Sequence, residues 1–262
     1  MVNQEHSYYN LGISSDQDET MRNYFSRFPE ELIASVMDAF VINKPKTGKS
    51  GGDGFWVHQK GDELYLVLYD CMGHGHLASM MTRIYAQSVE KVILEDKVED
   101  PGTILRYLHY RILTQFKGKT KVKIGPSSDV GVLKINTAMR KIEYSGARLE
   151  LIHVLGNGKT EVIKSGRMPI GDYPDQEHDY GTTLVELSSQ RISNFYINSD
   201  GFKDQAGGES GKKLGRKGLV EMLEKLHGKP MLDQKNQITE FISNWKGGHG
   251  QVDDMLMIGF AI

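Results

Sequence analysis

The sequence is short of cysteine: Cys71 stands alone among 262 residues, which excludes an internal disulfide and with it the disulfide-stapled secreted scaffolds. Long apolar runs are missing as well, none reaching the roughly 18 residues that a membrane-spanning helix needs. Charge of one sign is not in excess, because 32 Lys and Arg meet 34 Asp and Glu for a formal net charge of −2. Neither nucleic acid nor an anionic membrane therefore has an electrostatic claim as partner. Residues 1–6 lack the basic stretch and apolar core of a secretory signal, so the cytoplasm is the expected compartment. What is present is 39% hydrophobic residues, enough to build a sizeable core at this length.

Residues 1–35 read as a polar lead-in outside the core, with a helix expected after the cap candidates Ser14 and Ser15 that carries Met21, Tyr24 and Phe25. This segment is expected to regulate the remainder, residues 36–262, or to pair it in a homodimer. From Phe40 the texture turns to short β-type runs. Phe55-Trp56-Val57 and residues 64–69 flank Lys60-Gly61-Asp62-Glu63 and predict a hairpin. Two helices should follow and cover a sheet: residues 76–94, with Leu77, Met80, Met81, Ile84 and Ser88 on one face, and residues 101–116, where Asp100 can cap and Pro101 suits the first turn. Tyr107, Tyr110 and Phe116 are read as helix-packing residues. Strand-like runs at 130–135, 141–144, 149–154, 161–164, 184–187 and 192–198, broken by Gly, Asn and Pro, suggest a meander. Helices near 218–226 and 232–245 precede a last strand at 255–262. Strict β-α-β alternation is missing, so the pattern is α+β and layered, not a doubly wound parallel sheet.

Four acids mark strand ends. Asp53 opens the first hairpin strand and Asp70 closes the second; their midpoint falls between Gly61 and Asp62, so symmetric pairing about that turn sets the two carboxylates side by side. Asp200 follows the 192–198 run, and Asp253-Asp254 precede the last strand. Aspartate is common at turns and caps. The contexts are more particular: Gly51-Gly52-Asp53, Asp70-Cys71-Met72-Gly73-His74-Gly75, Ser199-Asp200-Gly201 and Asp253-Asp254-Met255. Glycine lets backbone approach an ion or a phosphate closely, and hard cations such as Mg²⁺ and Mn²⁺ prefer carboxylate, carbonyl and water oxygens.

With these motifs in this order, the chain resembles the bacterial SpoIIE branch of the PPM superfamily of metal-dependent protein phosphatases. Lys44-Pro45-Lys46, Met168-Pro169-Ile170-Gly171 and the segment 207–213 add to the likeness, which covers about residues 35–262. The resemblance implies a central β-sandwich flanked by α-helices in αββα layers. It implies two divalent cations, Mn²⁺ or Mg²⁺, with Asp70 bridging both, the Cys71 carbonyl completing one, and Asp53 near the second ion through water. Asp200 and Asp253 would hold the other, with Asp254 beside them as a further candidate ligand. A water between the metals would attack a phosphoserine or phosphothreonine of a regulatory protein, such as an anti-sigma-factor antagonist or a similar partner-switching protein. The sequence departs from the branch at Gly54, where a bulky residue is usual.

Other readings fare less well. Thr47-Gly48-Lys49-Ser50 resembles a P-loop, but Asn43 stands at the leading glycine position and Pro45 removes a backbone donor. Residues 206–213 fail likewise, with Ala206 for the first glycine and Lys213 for the Ser or Thr. Gly51 to Phe55 resembles a diguanylate cyclase signature, which leaves the other three motifs unexplained. Cys71 has no recognisable His partner set and reads as core filler, His74 as a turn support and His76 as structural or solvent-facing. The basic run Lys212, Lys213, Arg216 and Lys217 reads as a solvated face or a flap that attracts a phosphoprotein. A catalytically silent phosphoprotein-binding module of the same fold is the alternative function; the retained acids speak against it.

Overall fold

A computed structural model describes residues 7–10, 29–47, 51–73, 75–117, 126–173, 178–187 and 192–262. The predicted hairpin is present as β3 (Asp53–Lys60) and β4 (Glu63–Cys71), joined through Gly61-Asp62 with Lys60 opposite Glu63. Gly61 takes a positive φ of 59°, the conformation a two-residue hairpin loop demands and glycine supplies without strain. Both strands are buried on both faces. Trp56, Tyr65, Val67 and Tyr69 enter one core, while Phe55, Val57, Leu64, Leu66 and Leu68 enter another, which is why the sequence shows near-continuous apolar runs instead of alternation.

Around this hairpin a six-stranded sheet forms in the order β1-β3-β4-β5-β6-β9, adding β1 (Ser7–Asn10), β5 (Ser128–Asn136), β6 (Lys141–Ala147) and β9 (Thr183–Glu186). A second sheet runs β2-β13-β10-β7-β8, from β2 (Ala39–Lys44), β7 (Leu151–Val154), β8 (Thr160–Ile163), β10 (Asn194–Asn198) and β13 (Met255–Ala261). The inner faces of the sheets share one core of Phe55, Leu66, Leu133, Ile197, Leu256 and Ile258 among others. Helices α2 (His76–Glu90), continued by one π-helical turn (Lys91–Glu95), and α3 (Pro101–Phe116) cover the first sheet. Short α4 (Gly201–Asp204) leads through the small β11 (Ala206–Gly207) and β12 (Lys212–Lys213) pair to α5 (Gly215–Glu224) and α6 (Met231–Lys246), which cover the second. The layers are αββα, as expected. Among the described residues no helix is long and apolar enough to cross a membrane.

Three expectations change. The middle strands are not one meander: β5, β6 and β9 join the first sheet, whereas β7, β8 and β10 join the second. The chain changes sheet between Ala147 and Leu151, where Arg148 adopts a positive φ of 63°. Helix α2 buries Ala78, Met81, Thr82, Tyr85 and Val89 and leaves Leu77 and Met80 exposed. Its small residues face Gly54, where a Cβ would stand 2.5 Å from the Tyr69 ring and 2.7 Å from Thr82 Cγ2; a bulky residue there would push the helix off the sheet. Tyr107 and Tyr110 are exposed, not packed.

The lead-in also contributes more than expected. β1 pairs antiparallel with β3, and the boundary near residue 35 falls inside α1 (Pro29–Val36), whose Ile33 is buried between the sheets. The helix predicted after Ser14 and the turn role of His74 lie outside the described residues.

Candidate functional site

Alternation carries the acids to one place. Asp53 shares the inner face of β3 with Phe55 and Val57, and Asp70 shares that of β4 with Leu66 and Leu68. The two are register partners, as the turn midpoint predicts, and Asp129 of β5 is the partner of Asp70 on its other side. From the second sheet, Ser199 and Asp200 follow β10, and Asp253-Asp254 precede its neighbour β13. Both strand ends open at the same mouth of the sandwich. The Ser199 hydroxyl donates to Asp53 Oδ2 at 2.6 Å, and the Asp200 N–H approaches Asp70 Oδ2 at 3.4 Å.

Burial dominates the electrostatics of these acids, with like charge second at Asp53 and Asp70. Burial, then the neighbouring Asp70, holds Asp53 well above the usual carboxylate range, with the Ser199 hydrogen bond acting in the opposite sense. Burial, then Asp200 and Asp129, pushes Asp70 up to about 8. Burial raises Asp129 to about 6 against the pull of Arg148, and burial likewise raises Asp200. A cation in the mouth would reverse this logic.

The backbone around the acids is built for close approach. A Cβ on Gly52 would stand 2.4 Å from the Cys71 carbonyl oxygen and 2.9 Å from that of Gly73, so glycine keeps those oxygens uncovered. Asp254 is almost fully buried, and its carboxylate accepts the N–H groups of Lys46 and Gly52, each at 2.7 Å. Its own carbonyl oxygen lies where a Gly201 Cβ would be, at 1.8 Å. Asp254 therefore ties the two ends of the β2–β3 loop together and packs its own backbone against Gly201. The Cys71 thiol points into the helix-covered core and burial pushes it far up, which removes it as a nucleophile. His76 is exposed, and Lys213 of β12 pairs with Asp204 at the end of α4 at 2.9 Å.

The oxygen-only donor set of Asp53, Asp70, Asp200, Asp253 and the Cys71 carbonyl has the chemistry of a Mg²⁺ or Mn²⁺ site. Among the described residues no three His, Cys, Asp or Glu side chains are gathered so as to hold one ion by themselves. Sequence reading missed Asp129, although it stands immediately before a strand like the other acids, and it missed Ser199 and Arg148. Nothing in the sequence marks Arg148, whose place depends on a turn between the two sheets.

A model of the family described as Stage II sporulation protein E (SpoIIE) matches residues 60–262. Among solved structures, the SiaA-PP2C domain of Pseudomonas aeruginosa is similar over 90% of this chain and 91% of that one, with a TM-score of 0.78 at 24% identity. The PP2C phosphatase domain with a regulatory-domain fragment of SpoIIE from Bacillus subtilis is similar over 86% and 63%, with a TM-score of 0.66 at 14% identity. RsbX, solved in complex with magnesium, is similar over 86% and 94%, with a TM-score of 0.59 at 18% identity. No curated protein matches the sequence.

Proposed function

The chain belongs to the SpoIIE family of PP2C-type phosphatase domains, and on that footing we propose that it is a metal-dependent protein serine/threonine phosphatase. The observation that carries the reading is the Asp53–Asp70 register pair, joined across the sandwich to Ser199 and Asp200. Like charges so buried are costly unless cations share the site. In this reading Asp70 would serve both ions, with the Cys71 carbonyl and Asp53 toward one and Asp200 and Asp253 toward the other. Two divalent cations there would supply an acidified water and neutralise charge on the phosphoryl oxygens.

The chain's own residues do the rest. Ser199 fixes the rotamer of Asp53, so that this carboxylate keeps one orientation whether or not a cation is present. We assign Asp254 to the loops instead of the ions, because both of its oxygens already accept backbone N–H groups. The substrate proposed is a phosphoserine or phosphothreonine of a regulatory protein of the anti-sigma-factor-antagonist or partner-switching kind, and the cation Mn²⁺ or Mg²⁺.

The test is hydrolysis of an aryl phosphate by the purified chain with and without Mn²⁺, beside Asp70→Asn. Turnover should need the metal and fall to background in the variant. Mn²⁺ binding without turnover of either an aryl phosphate or a phosphoprotein would favour the silent binding module.

A further inference from the structure

Among the described residues at the mouth, Arg148 is the one whose backbone conformation is strained and whose side chain is left with capacity to spare. It is not glycine, yet its φ is 63°, a region that costs an L-residue energy and persists only where the surroundings impose it. They do so here. Its N–H donates to the Gly166 carbonyl at 2.8 Å, Val130 bridges it from β5, and its neighbours Ala147 and Leu149 are buried. The Tyr144 hydroxyl donates to the Leu149 carbonyl, and Gly146 has no room for a Cβ, which would stand 2.2 Å from that same oxygen.

The result of this turn is a guanidinium held beside the acids. Arg148 Nε lies 3.5 Å from Asp129 Oδ1, with the Arg148 side chain 54% exposed, and Asp129 is the register partner of Asp70. That single loose contact is the only ion pair of Arg148 among the described residues. An exposed pair of this kind contributes little to stability, so it does not account for the strain. The guanidinium fork has further N–H groups than Asp129 uses, and its planar shape matches the oxygens of a phosphoryl group.

We propose that Arg148 is the phosphate-binding residue of the site, receiving the phosphoryl oxygens of a phosphomonoester dianion while Asp129 holds the guanidinium in place from behind. The assignment rests on the phosphatase reading. It explains why an arginine occupies a position that glycine would fill without strain, and why its guanidinium stands directly beside Asp129 in a mouth rich in carboxylates.

Three measurements test it, on the full chain loaded with Mn²⁺. In aryl phosphate hydrolysis, Arg148→Gly should raise KM by roughly 10- to 100-fold, the effect of losing hydrogen bonds to a charged group, with Arg148→Lys intermediate. The melting temperature of Arg148→Gly should be equal to or above that of the parent, because glycine relieves the positive φ. In calorimetry, inorganic phosphate should bind the Mn²⁺-loaded parent and bind Arg148→Gly at least tenfold more weakly, with Mn²⁺ affinity unchanged. A parental KM and parental phosphate affinity in Arg148→Gly would overturn the assignment, as would phosphate failing to bind the parent. If the parent turns over neither an aryl phosphate nor a phosphoprotein yet binds phosphate through Arg148, the phosphatase reading fails and the phosphate contact of Arg148 stands.

Discussion

Ser199 and Asp53 meet at 2.6 Å across the gap between the two sheets, although 146 positions separate them. The same Ser199 oxygen accepts the Leu256 N–H at 3.0 Å, so one hydroxyl ties β3, the end of β10 and the start of β13 at the mouth where the acids gather.

Replacing it with alanine leaves a buried carboxylate without its donor and a buried N–H without its acceptor. Each such loss costs about 1–3 kcal/mol. Ser199→Ala is expected to lower the denaturant midpoint accordingly and to raise the Mn²⁺ concentration needed for half-maximal activity. An unchanged midpoint would show that water takes over both roles.

Asp253 and Asp254 are adjacent but should behave oppositely. Asp254→Ala removes two hydrogen bonds to a charged acceptor and should destabilise the fold by at least about 2 kcal/mol, measured by urea unfolding without metal. Asp253→Asn should leave that stability within about 0.5 kcal/mol and weaken Mn²⁺ binding in calorimetry. The reverse pattern would make Asp254 the ligand.

Metal-free protein should lose stability as pH rises, contrary to the usual behaviour of carboxylates. Asp70 is pushed up to about 8 and Asp129 to about 6 by burial and by neighbouring acids, against about 3.9 in an unfolded chain. Below that unfolded value both states are protonated and no penalty exists. Between the unfolded and folded values the unfolded chain releases protons that the folded one retains, so stability falls until pH passes about 8. Melting curves with EDTA from pH 5 to 9 should show this decline. Asp70→Asn should flatten it, and Mn²⁺ should add more stabilisation at high pH than at low. A decline unaltered in Asp70→Asn would place its origin elsewhere.

Gly52→Ala tests the uncovered carbonyls. Its Cβ would stand 2.4 Å from the Cys71 oxygen, and since the backbone cannot yield as a side-chain tip can, the loop must shift. Mn²⁺ affinity and turnover should both drop sharply, while Gly61→Ala, at a turn remote from the acids, should leave Mn²⁺ affinity intact. Equal effects of the two would refute a carbonyl contribution.

Much of this was legible in the sequence because the signals are local. The turn glycine fixed the Asp53–Asp70 register through its midpoint, and Asp100 with Pro101 marked the start of α3, where the Asp100 carboxylate indeed accepts the Thr103 N–H at 2.7 Å. The buried face of α2 was misread because Leu77 and Met80 satisfy helical spacing equally well. The choice falls to Gly52 and Gly54, against which Ala78 and Thr82 pack: a Cβ would stand 3.3 Å from Ala78 at Gly52 and 2.7 Å from Thr82 at Gly54.

By itself, the sequence determined most of the strands and helices and four of the acids at strand ends, since periodicity, caps and turn residues act within a few positions of one another. Tertiary structure alone decided which sheet each middle strand joined and how the acids of the two sheets were brought to one mouth. It likewise placed Asp129 and Arg148 beside them. Those outcomes depend on edges pairing and faces burying across more than a hundred residues, and on a strained turn at Arg148 that only the packed sandwich can sustain.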